Sequence, residues 1–309
     1  MNTILFTHPA CIGHDPGPGH PERPDRLRAV LAALEGEAFA LLDRREAPPA
    51  TIEQIARAHP AGYVERVLAT VPVEGYRGLD PDTVMSPGSG DAALRAAGAV
   101  CAAVDAVFAG EARNAFCAVR PPGHHAEADR AMGFCLFNNV AVGALHARAA
   151  HGVRRVAVVD FDVHHGNGTQ DIFWKDAGLF YASTHQSPLY PGTGAPHETG
   201  DAGNVLNVPL HANAASPEFR QAIGEHVLPA LAAFEPELLL ISAGFDGHTR
   251  DPLANLNLTE ADFAWATGKL CRLAGDACNG RVVSALEGGY DLDALAASTA
   301  AHVQELMVA

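Results

Sequence analysis

The chain has 309 residues, 48% hydrophobic and 18% charged, and its 21 Lys and Arg against 36 Asp and Glu give a formal net charge of −15. This is ample apolar material for a core, with no run near the roughly 18 apolar residues of a membrane helix, so disorder, collagen and a transmembrane role are excluded. An acidic balance without any block of Lys or Arg makes neither nucleic acid nor a membrane an expected partner, and it would steer a cationic substrate inward.

The opening MNTILFTHPACIG has no basic n-region and reads as a first strand at 3–7, not as a signal peptide, so the cytoplasm is the expected location. In chain order the pattern then predicts a helix at 91–109, a strand at 115–119, a helix at 137–150 and strands at 156–161, 179–183 and 205–209. A helix at 216–234, a strand at 238–242, a helix at 259–278 and a strand at 282–286 complete the series. Apolar runs alternating with amphipathic stretches mark a parallel sheet flanked by helices. The runs VAVVDFDV and ELLLISAGF are apolar on both faces and belong at its centre. Ser216 before Pro217 and Thr259 before Glu260 read as helix N-caps. No linker-like stretch or fixed repeat divides the series, so 1–309 reads as one domain. Cys11, Cys101, Cys117, Cys135, Cys271 and Cys278 form no C-x-x-C pair, which argues for reduced, mostly buried thiols.

Polar residues follow an apolar strand directly in VVDFDVHHGNG, LLLISAGFDGHTRDP and VVSALEGGYDL, and AVRPPGHHAEADRAMGFC has the same form. The carboxyl ends of parallel strands form the ligand crevice, so these four segments should converge. Asp162 and His164 stand one residue apart at a strand end, where a period of two puts both side chains on one face as a chelating pair. Asp246, two residues past Gly244 on another strand end, is the best-placed third ligand. Two carboxylates and an imidazole leave a position open, as a catalytic zinc site requires, while so oxygen-rich a set also admits Fe2+.

Asp160 faces away if its strand stays regular, and supports the site from below if a turn begins there. His165 reads as structural, and Asn167, between two glycines, can orient a histidine with its amide. The tandem His124-His125 follows the rigid Pro121-Pro122-Gly123, and two imidazoles with different partners can hold different pKa values for acid–base work. Gly288 and Gly289 let a loop approach a ligand closely and present the phenol of Tyr290 to a developing oxyanion. Taken singly, each has a plain reading: a solvated strand end, an exposed His pair, a tyrosine packing a turn. Their combination favours catalysis.

Together, R-P-P-G-H-H-A, D-x-D-x-H-H-G-N-G-T-Q, Y-P-G-T-G, S-A-G-F-D-x-x-x-x-D-P-L and L-E-G-G-Y resemble the histone deacetylase superfamily, in wording closest to its class II and bacterial amidohydrolase branch. The resemblance runs in unbroken order from His20–Arg26 to Tyr290. It implies a three-layer α/β/α sandwich around a mostly parallel eight-stranded sheet. It also implies zinc on Asp162, His164 and Asp246, His124 and His125 as the acid–base pair backed by Asp160 and Asn167, and Tyr290 polarising the acyl carbonyl. Class I members carry Asp where Asn167 stands, so His125 should be less biased towards its cationic form.

An acyl-lysine tunnel is implied with Gly133, Phe134 and Tyr190 as walls, Gly288 at the substrate and Leu253 near the rim; Tyr190 departs from the usual phenylalanine. Structural potassium is implied on Asp160, Ser183 and carbonyls of Asp162, His164 and Thr184, with a second such site near Phe173, Asp176 and Leu179. Arg26 would line an exit cavity for acetate, and the residue gripping the substrate backbone should lie around Ser86-Pro87-Gly88-Ser89. The expected function is a zinc-dependent amidohydrolase that removes acyl groups, above all acetyl, from lysine side chains of peptides or proteins or from small acylated amines. The alternatives are an acetylpolyamine amidohydrolase, disfavoured by Leu253 where one gatekeeper glutamate occurs, and a non-catalytic acyl-lysine reader, disfavoured by an intact Tyr290. A two-manganese ureohydrolase would need a second carboxylate two residues beyond Asp246, where His248 stands.

Overall fold

In the computed structural model, which describes residues 2–309, the apolar runs pair side by side and all in parallel. The strands are β1 (Ile4–Thr7), β2 (Asp43–Glu46), β3 (Arg77–Gly78), β4 (Val84–Met85), β5 (Asn114–Cys117), β6 (Val156–Asp160), β7 (Leu179–Gln186), β8 (Val205–Leu210), β9 (Leu238–Ala243) and β10 (Val282–Leu286). Apart from the small antiparallel β3–β4 hairpin, they form one eight-stranded sheet in the order β2-β1-β5-β10-β9-β6-β7-β8. The doubly apolar β6 and β9 are central neighbours, with Val158 opposite Leu240. Helices Ser89–Phe108 and Asn139–His151 pack together on one face, while Glu260–Cys278, Leu292–Val308 and Pro24–Ala33 cover the other. On that second face Phe116, Phe161, Phe245 and Phe263 gather around His302, with ring centroids 5.2–6.0 Å apart. This is the three-layer arrangement expected, with a sheet that is wholly parallel. Among the described residues, no helix is long and apolar enough to cross a membrane.

Three local differences from the sequence reading have clear causes. The sequence DRRE carries no apolar residue, yet it forms β2 because β1 offers its edge, and charged residues on an edge strand discourage further pairing. Ser216 is the first helical residue and not the cap: Ala215 is the cap, its N–H received by Glu218, and Ser216 Oγ donates to Asp262 at 2.6 Å. The helix that Ser216 opens passes through a π-turn at Ala222–Val227 before continuing as Leu228–Phe234. Pro229 has no N–H to return to the preceding turn, and widening the ladder accommodates that loss. Thr259 caps its helix as expected, its N–H bonded to Asp262 at 3.0 Å.

Helix Ser89–Phe108 can lie so close to the 48–50 segment only because residue 98 is glycine. A Cβ there would stand 1.9 Å from the Pro48 carbonyl oxygen and 2.5 Å from the Ala50 nitrogen, both backbone atoms. Gly98→Ala is therefore expected to cost about 2–3 kcal/mol, read as a lower urea midpoint at unchanged slope. An unchanged midpoint would show that the 48–50 segment yields freely.

Candidate active site

All eight strands end their carboxyl termini on one edge, and the four polar segments meet above β5, β6, β9 and β10. β6 stops at Asp160, and the chain bends through Asp162, Val163 and His164. The bend, and not a strand period, brings Asp162 and His164 together. It also brings Asp160 under them, where its Oδ1 accepts the Asp162 N–H at 3.1 Å. His164 Nδ1 lies 3.2 Å from Asp162 Oδ1 and 3.0 Å from Asp246 Oδ2. Backbone N–H groups aim both carboxylates: His164 N and Gly288 N donate to Asp162 at 2.9 and 2.8 Å, and Val163 N donates to Asp246 at 2.9 Å.

Glycine is obligatory beside these acids. A Cβ on Gly244 would stand 2.0 Å from Asp162 Oδ2, and one on Gly288 would stand 2.1 Å from Asp246 Oδ2. Gly288, expected at the substrate, packs against the carboxylates. Both acids are fully buried, and among the described residues neither is paired with a Lys or Arg. Two buried carboxylates beside an imidazole are stabilised by a cation between them, so the donor set fits a divalent metal ion.

The Asp105, His146 and His151 group has a similar composition but a different chemistry. Both imidazole Nε2 atoms lie 2.7 Å from Asp105 Oδ1, and Arg57 donates to His146 Nδ1. That donation puts the His146 proton on Nε2, so this group is a hydrogen-bonded cluster between two helices.

Next to the carboxylates, the tandem histidines have opposite characters. The Glu287 carboxylate accepts the N–H groups of Gly123 at 2.7 Å and His124 at 3.2 Å, which fixes their loop. His124 Nδ1 donates to Asp160 Oδ2 at 2.9 Å, and the Tyr181 hydroxyl donates to the same oxygen at 3.0 Å. Burial depresses His124, but the Asp162 and Asp160 charges outweigh it and hold its pKa well above the ordinary value. A metal ion on Asp162 would cancel that residue's pull and leave Asp160's.

His125 Nδ1 meets the Asn167 amide oxygen at 2.8 Å. Asn167 cannot turn over, because its nitrogen donates to Glu127 at 2.8 Å. The His125 proton is therefore on Nδ1 and Nε2 keeps its lone pair. Burial, then the neighbouring charges of His124 and His164, hold the His125 pKa well below the ordinary value. His165 is bonded at both nitrogens, to Thr193 Oγ1 at 2.7 Å and Gln170 Oε1 at 3.0 Å, as a structural residue.

A cavity of about 240 Å3 opens above this floor. Asp82, Phe134, Leu189, Tyr190 and Leu253 line it together with His125, His164 and Tyr290. Gly133 lies behind the wall at φ +56, where a Cβ would come within 2.4 Å of the His125 ring. Phe134 itself is held at φ 68, a conformation that a side chain of its size rarely adopts. Tyr290 N donates to Asp251 at 2.7 Å, and burial pushes its phenol well above the ordinary value, so the hydroxyl stays a donor. Arg26 is wholly buried as a brace: it donates to the carbonyls of Gly289 at 2.6 Å and Glu287 at 2.5 Å and to Glu22 at 3.0 Å, with its guanidinium 4.9 Å from the Tyr290 ring centroid.

Ser86-Pro87-Gly88-Ser89 does not face the cavity. Ser86 and Ser89 are buried, with Ser89 Oγ on His14 Nδ1 at 2.7 Å and Ser86 Oγ on the Asp15 N–H at 3.0 Å. The residue that lines the cavity instead is Asp82, in the turn between β3 and β4, whose Oδ1 accepts the Gly133 N–H at 3.1 Å and the Thr83 hydroxyl at 2.8 Å. Sequence reasoning missed Asp82, as it did the loop-fixing Glu287 and Asp251, although the last two stood inside recognised motifs. Deeper, Asp160 pairs in register with Ser183, whose Oγ meets His185 Nδ1 at 2.9 Å, while the Thr184 hydroxyl is buried without a partner. The carbonyls of Phe173, Asp176 and Leu179 converge on the Asn204 side-chain nitrogen.

A wholly parallel sheet between two helical layers, with this floor at its carboxyl edge, suits a hydrolase acting on acyl amides, and comparison with known proteins specifies the family. Residues 20–306 match the histone deacetylase domain. The chain is 38% identical to Histone deacetylase 14, chloroplastic, of Arabidopsis thaliana, covering 98% of this chain and 76% of that one. It is 40% identical to the histone deacetylase-like amidohydrolase of Pseudomonas aeruginosa over 93% of this chain and 81% of that one. The crystal structure of the HDA15 HD domain superposes with a TM-score of 0.94 at 37% identity, covering 99% of this chain and 88% of that one. The chain belongs to the histone deacetylase family.

Because Gly288 has no side chain to displace the two acids, Gly288→Ala should weaken the affinity of the site for a divalent metal ion at least about tenfold, the scale of losses from disturbing groups that orient metal ligands. Competition with a chromophoric chelator reads this directly, with circular dichroism confirming the fold. Wild-type affinity would show that the loop moves aside.

Proposed function

We propose that the protein is a zinc-dependent deacylase that removes acetyl groups from lysine side chains of peptides or proteins, or from small acylated amines. The observation that carries this is the cavity floor, where a neutral His125, a protonated Tyr290 and a metal-ready carboxylate pair converge beneath an apolar channel. Held by Asp162, His164 and Asp246, zinc would supply Lewis acidity to the acyl carbonyl and to water; the same donors would accept Fe2+.

Every other part is played by the chain. Phe134 and Tyr190 enclose the neutral acyl-lysine stem and exclude bulk water, and Leu253 adds apolar surface at the rim. His125 Nε2 takes a proton from the attacking water as its oxygen bonds to the carbonyl carbon. The same nitrogen returns that proton to the departing amine as the C–N bond breaks, giving acetic acid and the free amine, which become acetate and ammonium when the acid's proton passes to the amine. Tyr290 donates its hydroxyl proton in a hydrogen bond to the carbonyl oxygen as negative charge builds there. His124, kept cationic by Asp160, contributes a fixed positive charge. At the mouth, the free oxygen of Asp82 is available to backbone N–H groups of a peptide. Asp160, Ser183 and carbonyls of Asp162, His164 and Thr184 would hold a structural potassium ion. Six buried, unbridged cysteines suit a reducing compartment, and the cytoplasm is the location proposed.

Acetate release from an acetyl-lysine peptide and from an acetylated polyamine, on metal-stripped protein with and without zinc, tests the reading. Zinc-dependent turnover of the peptide is expected, and zinc binding without turnover of either substrate would favour a non-catalytic acyl-lysine reader. Tyr290→Phe should keep its zinc and lose at least about a hundredfold in kcat, a loss on the scale of one oxyanion donor. Asp82→Ala should raise KM for the peptide and leave KM for a small acetylated amine unchanged, and an equal rise for both would remove Asp82 from substrate binding.

A further inference from the structure

The three carbonyls that the family resemblance would give to a second monovalent cation are met in this chain by one of its own side chains. Phe173, Asp176 and Leu179 follow one another at intervals of three. The Asp176 N–H bonds to the Phe173 carbonyl at 3.1 Å and the Leu179 N–H to the Asp176 carbonyl at 2.9 Å. Successive three-residue turns bring such carbonyls to one side. Asn204 Nδ2 lies at their focus, 2.9 Å from Phe173 O, 3.2 Å from Asp176 O and 2.8 Å from Leu179 O.

The orientation of this amide is decided by its neighbours. Turned over, it would set an oxygen against three oxygens with no proton between them, so the nitrogen faces the carbonyls. Its own oxygen is buried without a partner. Gly200, at φ +72, makes room for that oxygen, since a Cβ there would stand 2.5 Å from it. The backbone of Asn204 is pinned as well, its carbonyl accepting the Tyr181 N–H at 3.0 Å where β8 begins. With Nδ2 at the focus, an ion has no space there unless the side chain leaves.

We propose that the Asn204 amide replaces the second monovalent cation. The 173–179 turn then closes without an ion, and the protein holds at most one such cation, beside Asp160 and Ser183. The turn follows the helix Asn167–Phe173, whose first residue orients His125. The position of that orienting amide is thereby independent of potassium at this turn. The inference concerns the turn alone and stands whichever acyl amide is the substrate.

Anomalous scattering from crystals grown in rubidium chloride tests it. The wild-type protein should show no rubidium within coordinating distance of the three carbonyls, and an ion bound there would overturn the proposal. Asn204→Gly should admit rubidium at that place. It should also gain several degrees more in melting temperature than wild type when potassium replaces N-methylglucamine. Absence of the ion from the variant as well would also overturn the proposal, since the turn would then be no cation cage. Should the glycine variant not fold, Asn204→Asp places a carboxylate against the three carbonyls and should depend on potassium for its stability. A potassium-dependent gain in melting temperature no larger than that of wild type would overturn the substitution.

Discussion

Everything at the carboxyl edge of the sheet answers to one constraint: two carboxylates, Asp162 and Asp246, are held side by side away from water without a Lys or Arg to neutralise them. Such a pair repels itself strongly in a low-dielectric interior. It persists only where its geometry is fixed and a cation is provided for. The fixing is done by main chain: N–H groups of Val163, His164 and Gly288 hold the oxygens, and Gly244 and Gly288 give up their side chains so that backbone can approach. The remaining stabilising interactions of the site serve to keep those backbone groups where they are.

The loops carrying the site are tied to one another by buried charges more than by apolar contact. Glu287, on the loop after β10, grips the backbone of Gly123 and His124. Asp251, beyond β9, grips Tyr290. Arg26, from the first helix, grips the carbonyls on both sides of Gly288. Burial pushes Glu287 and Asp251 up to about 7 each, a sign of how much their positions cost in solvation. Chemical division of labour follows from what surrounds two adjacent imidazoles: the Asp162 and Asp160 charges hold His124 cationic, whereas burial and the charges of His124 and His164 keep His125 neutral, the Asn167 amide fixing its tautomer.

Much of this was legible in the sequence. Each apolar strand run was recognised to within a few residues because burial on both faces leaves a continuous hydrophobic signature, as in VAVVDFDV. That Asp162, His164 and Asp246 would meet was legible because their residue types are few and stand directly after such runs. What escaped notice had no such signature. β2 is held by its neighbour's edge and not by its own DRRE. The bend after Asp160 depends on side-chain acceptance of backbone N–H groups, which a strand period does not describe. Asp82 and Ser86 stand on either side of the short β4, and only the fold around His14 turns the serines inward and leaves the aspartate at the cavity. Asn204 reads as an ordinary turn residue until the three carbonyls around it are located in space.

The strand order also has a temporal consequence. β10 is the last strand in the chain and lies in the middle of the sheet, between β5 and β9. Until residue 286 has been synthesised, β5 and β9 have no common neighbour, and each presents an open, apolar edge. At ribosomal speeds of about 5–20 residues per second, the strands from β5 onward wait many seconds for the piece that joins the two halves. Nascent chains of this protein are thus exposed to edge-to-edge association for most of their synthesis, and holding factors that cover strand edges would act on them before β10 emerges. The loop carrying Tyr290 follows β10 directly, so the last residue of the site and the closure of the sheet arrive together, and no chain that stops short of β10 carries the whole site.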